Sequence, residues 1–412
     1  MTSQLVIINQ SGVAAASDTL TSHQEPHGEM KTIPSNSKIH NVGKEHLVAV
    51  LHCGGVFLGG VQWETLAREW SLSLGPPLPH LEDYVSNFST WVADNCEIFH
   101  IDQTAMMKWT ICQEFSDMFA GTGNPVTSVL QQRVGDPTKL SEPEFEKALT
   151  AAIEDYMKNC FITTPYGDLT NDAVIKNLDD AKIDVYEDFL EHAQEFGKFE
   201  FSEKFRKFLL TFAGELLIRF VNTSGVTCLN FVGFGTKDIM GGRIELRIRS
   251  FYGGKLRFSF ESSGSADPKD YPMWFPLAQQ DAMASFMWGV DFEARNSLRD
   301  IALDIVMSKV KLEDSQVAEF MEEYGKRTYD FLGKQFAQPL GETMDTLGIW
   351  SLTRFADMLV RIQCLRSASL SSEATVGGLI ESLEITRDNG VRWHQKISLE
   401  SHSIEDASHV FA

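Results

Sequence analysis

Thr2, Asp18 and Lys38 carry a hydroxyl, a carboxylate and an ammonium group, a set that can make and hold a nucleophile. If the apolar run LVII pairs with VAAAS across the turn NQSG, the hairpin folds about Gln10 and brings Thr2 beside Asp18. A second hairpin puts Lys38 at the start of KIHNV, where a third antiparallel neighbour presents its ammonium between that hydroxyl and that carboxylate. Taken one at a time, these are an ordinary second residue, a turn Asp and a solvated strand-opening Lys. The pairing register is what groups them.

The group becomes chemically useful once Met1 is removed, which a small second residue such as Thr permits. Thr2 then carries a hydroxyl and a free α-amine. An α-amine titrates near ~7.7 to 8.0, so at neutral pH a useful fraction is unprotonated and can take the hydroxyl proton. A neighbouring Lys favours the deprotonated forms, and an Asp keeps that Lys charged and in place. Threonine acting with its own amine is a known variant of the nucleophile-and-base pair.

Other constellations are thinner. His40, His46 and His52 recur at even spacing, but His40 and His46 fall on different strands or a turn, and no carboxylate or Cys completes a ligand set. No metal site is assigned. GFGTKDIMGG and GGKLRF lack the P-loop spacing of glycines before Lys-Ser or Lys-Thr, so these are turn glycines and no cofactor is expected. Aromatic runs such as FRKFLLTFAGELLIRF read as core-facing stripes.

The elements that must position the trio alternate along the chain. LVII, VAAAS, KIHNV and LVAVL read as two successive hairpins, and WETLAREWSLSL and LEDYVSNFSTWVADN as two helices behind them. Residues 98–222 read as a helical insertion, with a capping box at Ser141 and Glu144 and another Ser before EKFRKFLL. VTCLNFVGFG, GRIELRIRSF and KLRFSFESS return to strand texture. Helical signal runs from Leu277 to about Lys311, then through LEDSQVAEFMEEYGKRTYDFLGKQF and SLTRFADMLVRIQCLRSAS. The chain closes with a hairpin turning at Asp388, Asn389 and Gly390, before a tail, 401–412, expected to be mobile. Segregated strand and helix blocks joined by hairpins predict an α+β layered fold.

Composition narrows the partners. Thirty-six Lys and Arg against 57 Asp and Glu give a net charge of −21, which repels nucleic acid and anionic membrane surfaces. With 412 residues, 43% of them hydrophobic, the chain can bury one large core or several ordinary ones. Its most apolar window, HLVAVLHCGGVFLGGVQW, holds two His and four Gly and reads as strand, turn and helix start rather than a membrane span. No Lys or Arg precedes Lys31, so a basic secretory leader is not expected. Cys53, Cys96, Cys112, Cys160, Cys228 and Cys364 form no CxxC pair and suit reduced thiols in a cytoplasm.

Thr2, SGVAAASD ending in Asp18, SKIHNV with Lys38 and a strand into CGG follow one another in a family's order. The sequence resembles the proteasome β-subunit group of N-terminal nucleophile (Ntn) hydrolases. The step from Thr2 to Asp18 is the spacing that family uses, and the step to Lys38 is a few residues longer. FVGFGTKD and EATVGGLIESLEITRDNGVRW are similar to later segments of the family. The likeness covers roughly 2–95, 224–291 and 354–396, without a counterpart for the middle helices. More specifically, the sequence resembles an uncharacterised bacterial proteasome-like branch that carries such insertions.

The resemblance implies an α/β/β/α four-layer sandwich, with halves in 1–97 and 223–400, the insertion 98–222 between them and a further helical insertion near 292–350. It implies that Thr2 is nucleophile and base, that Lys38 tunes it and that Asp18 holds Lys38. It further implies that Gly54 donates a backbone amide to the oxyanion and that Glu373 stands where the family has a supporting Asp. Two supporting serines of the family read as Ala278 and Val376 in this sequence. The implied function is a threonine peptidase acting on a peptide or amide substrate. Its rivals are a non-catalytic scaffold of the same fold and a small-molecule amidase. Relatives assemble into rings, so a homo-oligomer is the implied partner, although the insertions could block ring contacts.

Overall fold

The computed structural model of the chain describes residues 2–24, 30–34, 37–119, 125–134, 140–160, 165–193, 200–221, 226–263, 272–310, 313–370 and 375–396. SQLVIIN forms strand β1 (Ser3–Asn9) and GVAAASD forms β2 (Gly12–Asp18), antiparallel, with Gln4 opposite Ser17 and Asn9 opposite Gly12. Every residue of both strands is buried, so alternate side chains serve two cores instead of a core and solvent. A ribbon of β3 (Leu20–Gln24) and β4 (Met30–Pro34) follows. Then β5 (Ile39–Asn41) pairs with β6 (Val48–Cys53), Ile39 opposite Leu51.

A tight ribbon of β7 (Phe57–Leu58) and β8 (Val61–Gln62) leads into α1 (Trp63–Ser73) and α2 (Leu81–Asn95). Next come α3 (Gln103–Phe119), α4 (Pro125–Val134), α5 (Glu142–Cys160), α6 (Asn171–Asp180), α7 (Val185–His192) and α8 (Glu203–Ile218). Their starts follow local chemistry. Glu144 reaches back to the Ser141 amide before α5, and Ser202 Oγ accepts from Phe205 N at 3.2 Å to cap α8.

Strands resume with β9 (Thr227–Gly233), β10 (Gly242–Tyr252), β11 (Lys255–Ser263) and β12 (Met273–Ala278). Helices α9 (Asp281–Trp288), α10 (Phe292–Met307) and α11 (Asp314–Leu332) follow. A π-helical turn, Gly333–Ala337, joins α11 to α12 (Gln338–Thr346), and α13 (Ile349–Leu370) leads to the closing hairpin of β13 (Ile380–Thr386) and β14 (Gly390–Gln395). Met273–Ala278 is a correction to the helical signal read from Leu277, since the helix begins only at Asp281. Pro276 is tolerated because β12 is an edge strand, where the missing N–H costs no ladder bond on the outer side.

Two five-stranded antiparallel sheets result, one in the order β12-β1-β2-β13-β14 and the other β11-β10-β9-β6-β5. Val6, Ile8, Val13 and Ala15 share a buried cluster with Ile39, Ala49, Leu51 and Val232, so the sheets meet face to face there. The alternate residues Leu5, Ile7, Ala14 and Ala16 pack on Leu352, Ala356, Leu359 and Val360 of α13, and the alanines of β2 let that helix lie close. Trp63, Trp70, Tyr84 and Phe88 of α1 and α2 cover Val48, Val50, Phe231 and Leu246 of the second sheet. A fourth core, built from α3 to α8 around Phe115, Leu149, Phe189, Phe205 and Phe212, reaches the sheets at Tyr252. The fold is therefore α+β with antiparallel sheets. Among the described residues no helix is long and apolar enough to cross a membrane.

Candidate active site

Asp18 ends β2 with no solvent exposure, and its two oxygens accept from groups on three parts of the chain. Ser3 N donates to Oδ1 at 2.9 Å, Lys38 Nζ to the same oxygen at 2.8 Å, and Gly377 N to Oδ2 at 3.0 Å. Lys38 Nζ also donates to Leu20 O at 2.7 Å, and Lys38 is 3% exposed. A buried charge this well partnered is held at a defined position.

Lys38 does not arrive on a third strand of the hairpin that carries Asp18. It stands at the foot of β5, the edge strand of the second sheet, and reaches across to the first. The correction follows from face-to-face sheets: strands consecutive in sequence can lie in different layers, while the spacing along the chain is the same. His52 N donates to Lys38 O at 3.0 Å, tying the lysine backbone to the end of β6.

Thr2 is buried one residue before β1, adjacent to the Ser3 amide that Asp18 holds. Gln279 N donates to Thr2 O at 2.9 Å. The bend that allows this is Ala278, opposite Ser3 on β12, whose φ of +58° is a left-handed conformation that costs a residue with a Cβ. The Gln279 side chain continues the network, donating from Nε2 to Thr375 Oγ1 at 3.1 Å, and Thr375 Oγ1 lies 3.1 Å from Ser367 Oγ. Sequence reasoning did not find Gln279, Thr375 or Ser367. Ser367 comes from α13 and Thr375 from the loop before β13, and no local pattern marks either.

Gly54 lies one residue past Cys53, the last β6 position paired with β9. Its φ of +88°, and a Val226 O only 2.5 Å from where a Cβ would sit, admit no other residue without rearrangement. Val376, expected where the family has a serine, is buried beside Gly377. Met1, Glu373 and the tail 401–412 lie outside the described residues.

The remaining candidates divide. His40 Nε2 and His52 Nδ1 are 3.3 Å apart with their rings stacked, whereas His46 Nδ1 lies 2.9 Å from the Tyr84 hydroxyl. Burial pulls His40 down to about 4, helped by Lys396, and pulls His52 well below the usual range, helped by His40 and Lys38. Both are neutral at pH 7. Among the described residues no group of three His, Cys, Asp or Glu could hold a metal ion. Burial first, and then Asp18, push the Cys364 thiol up to about 12, which removes it as a nucleophile at neutral pH. Cys53 faces Cys228 across β6 and β9, and both are free thiols.

The arrangement fixes a cation on the carboxylate that also holds the Ser3 amide next to Thr2, and Gly54 follows the end of β6 in the other sheet. No family model matches the chain, and no curated protein matches it either.

Proposed function

We propose that the chain is an Ntn-type amide-bond hydrolase, a threonine peptidase whose nucleophile is Thr2 once Met1 is removed. The observation that carries the reading is the buried Lys38–Asp18 pair, with Asp18 also bound to the Ser3 amide. This is the pairing that a threonine with its own amine as base needs beside it. The two facing sheets, with α13 on one outer face and α1 and α2 on the other, suit the four-layer Ntn sandwich.

In this reading the Thr2 α-amine takes the hydroxyl proton as Oγ attacks the amide carbon. The Gly54 amide stabilises the oxyanion, and the amine returns the proton to the leaving nitrogen. Water then cleaves the ester. The reading implies a peptide substrate, no cofactor and a cytoplasmic protein able to self-associate. A second reading, a non-catalytic scaffold, is favoured by Ala278 and Val376, which carry no hydroxyl where the family has serines.

The test is intact-mass measurement of protein from a native-like host, together with hydrolysis of a peptide library. Loss of one Met is expected. Thr2→Ala should abolish turnover and labelling by an electrophile that captures both hydroxyl and amine, while Thr2→Ser keeps part of both. Retained Met1 together with no hydrolysis of the library would leave the scaffold reading standing, and hydrolysis undiminished in Thr2→Ala would remove Thr2 as the nucleophile.

A further inference from the structure

Cys53 closes β6 and stands directly opposite Cys228 of β9, and both belong to the packing between the two sheets. Directly opposed residues of an antiparallel pair have Cα atoms about 4.5 to 5.5 Å apart, inside the range of about 4.4 to 6.8 Å that a disulfide spans. The backbone therefore needs no large movement to bridge them. On its other side Cys228 stands opposite Arg247 of β10. A row across the second sheet thus runs thiol, thiol, guanidinium, with its side chains on one face.

The two thiols are unlike. Cys53 is 6% exposed, whereas Cys228 is half-buried and is the sulfur that a small solute meets. A hydrogen bond from the Cys53 thiol, and then Arg247 and Arg243, pull Cys228 below the ordinary thiol range against the opposing effect of burial. The same hydrogen bond and burial push Cys53 well above it. Glu245 holds the Arg247 guanidinium in place, accepting from Nε at 2.6 Å. Cys112 and Cys364 move away from reactivity, since burial first pushes them up to about 11 and about 12. One sulfur of the pair is disposed to react as a thiolate and its neighbour to resolve the product.

We propose that Cys53 and Cys228 form a peroxide-reactive dithiol that closes reversibly to a disulfide, with Cys228 as the attacking sulfur and Cys53 as the resolving one. The Cys228 thiolate attacks one oxygen of hydrogen peroxide, the O–O bond breaks, and Cys228 becomes a sulfenic acid while the other oxygen leaves as hydroxide and is protonated to water. The Cys53 sulfur then displaces the sulfenic hydroxyl, which departs with the Cys53 proton as a second water. The two thiols give up two electrons and the peroxide takes them. A thiol reductant reopens the bond by exchange. Where other thiols are kept reduced, a disulfide of this kind is transient and redox-sensing. It would stitch β6 to β9 at the residue before Gly54, across the whole of segment 98–222. The proposal stands whether or not Thr2 is a nucleophile.

The test treats the reduced full chain with a slight molar excess of hydrogen peroxide at pH 7, then weighs it intact and maps it by alkylation, proteolysis and mass spectrometry. The expected product is lighter by two hydrogens, yields a crosslinked Cys53–Cys228 peptide pair, and returns to its starting mass with dithiothreitol. In Cys53→Ser, Cys228 should stop at the sulfenic acid and take up dimedone, and in Cys228→Ser, Cys53 should stay a thiol. The map of the parent protein decides the matter even where a variant fails to fold. Cys228 left as a thiol, Cys228 carried on to the sulfinic acid without the crosslink, or oxidation of Cys112 or Cys364 ahead of it would overturn the proposal. Dimedone uptake by Cys53 in Cys228→Ser would overturn the assignment of the two roles.

Discussion

Asp18 concentrates at one carboxylate the contacts that tie β1, β5 and the loop before β13 together, so a single atom change there has two separable consequences. Asp18→Asn leaves the Lys38 ammonium buried without its counter-charge and turns an amide NH₂ toward groups that are themselves donors. Breaking a buried pair from one side costs about 3–5 kcal/mol, so the variant should unfold at clearly lower urea than the parent. Adding Lys38→Met removes the stranded charge. The double variant should recover most of that stability while hydrolysis stays absent, a non-additivity that chemical denaturation and peptide turnover measure independently. If Asp18→Asn unfolds at the parent's urea concentration, the ion pair is not what holds this corner. At this scale part of the site was legible. The step from Thr2 to Asp18 follows from hairpin register, because antiparallel pairing converts sequence distance into adjacency. Lys38 was legible as a residue but not by its route, and Gln279, Thr375 and Ser367 were not legible at all. Their grouping depends on how α13 and β12 meet β1, which no window of the sequence contains.

The β5–β6 hairpin carries the pair of neutral histidines, and its stability should therefore depend on acid. His40 binds a proton near about 4 in the folded chain and near 6.5 when unfolded. Between those values the unfolded state holds more protons, so its contribution is complete above about pH 6.5 and is lost by about pH 4. His52 acts in the same direction. Because His40 is partly exposed, its share is on the order of 2 kcal/mol, below what the full shift would give. Urea unfolding at pH 7 and pH 4.5 should show His40→Gln losing less stability on acidification than the parent by roughly that amount, and an identical loss would place the acid sensitivity elsewhere. Elements of this kind were largely readable from periodicity. LVII, VAAAS and LVAVL are runs too apolar for anything but buried strands, and Asp388 to Gly390 mark their own turn. MWFPLA was not read as a strand, and its last two residues were given to the following helix, because Pro276 and its neighbours give no clean alternation. Only its place at a sheet edge, a tertiary fact, makes it a strand.

Across the whole molecule, the core of α3 to α8 is distinct from the cores around the sheets, and beside apolar contacts at Tyr252 and Met106 the joint between them holds a buried polar network. Glu114 of α3 is fully buried, pairs with Arg249 of β10 and accepts from the Tyr156 hydroxyl. The Tyr252 hydroxyl donates to Leu217 O, and Arg257 reaches Asp168 at 2.9 Å. The helical character of 98–222 was visible in its amphipathic runs, but this joint was not, since its central pair, Glu114 and Arg249, lies 135 residues apart in sequence. Glu114→Ala strands the Arg249 guanidinium in the joint, at a cost of about 3–5 kcal/mol that falls on the contact between the two parts. The parent should melt in one calorimetric transition, because the joint is intact and each part supports the other. In Glu114→Ala the helices should melt first, as a separate lower transition accompanied by loss of far-ultraviolet helix signal, with the sheets melting near the parent temperature. A single transition that moves down as a whole would instead make the helices and sheets one cooperative unit, with the ion pair stabilising all of it.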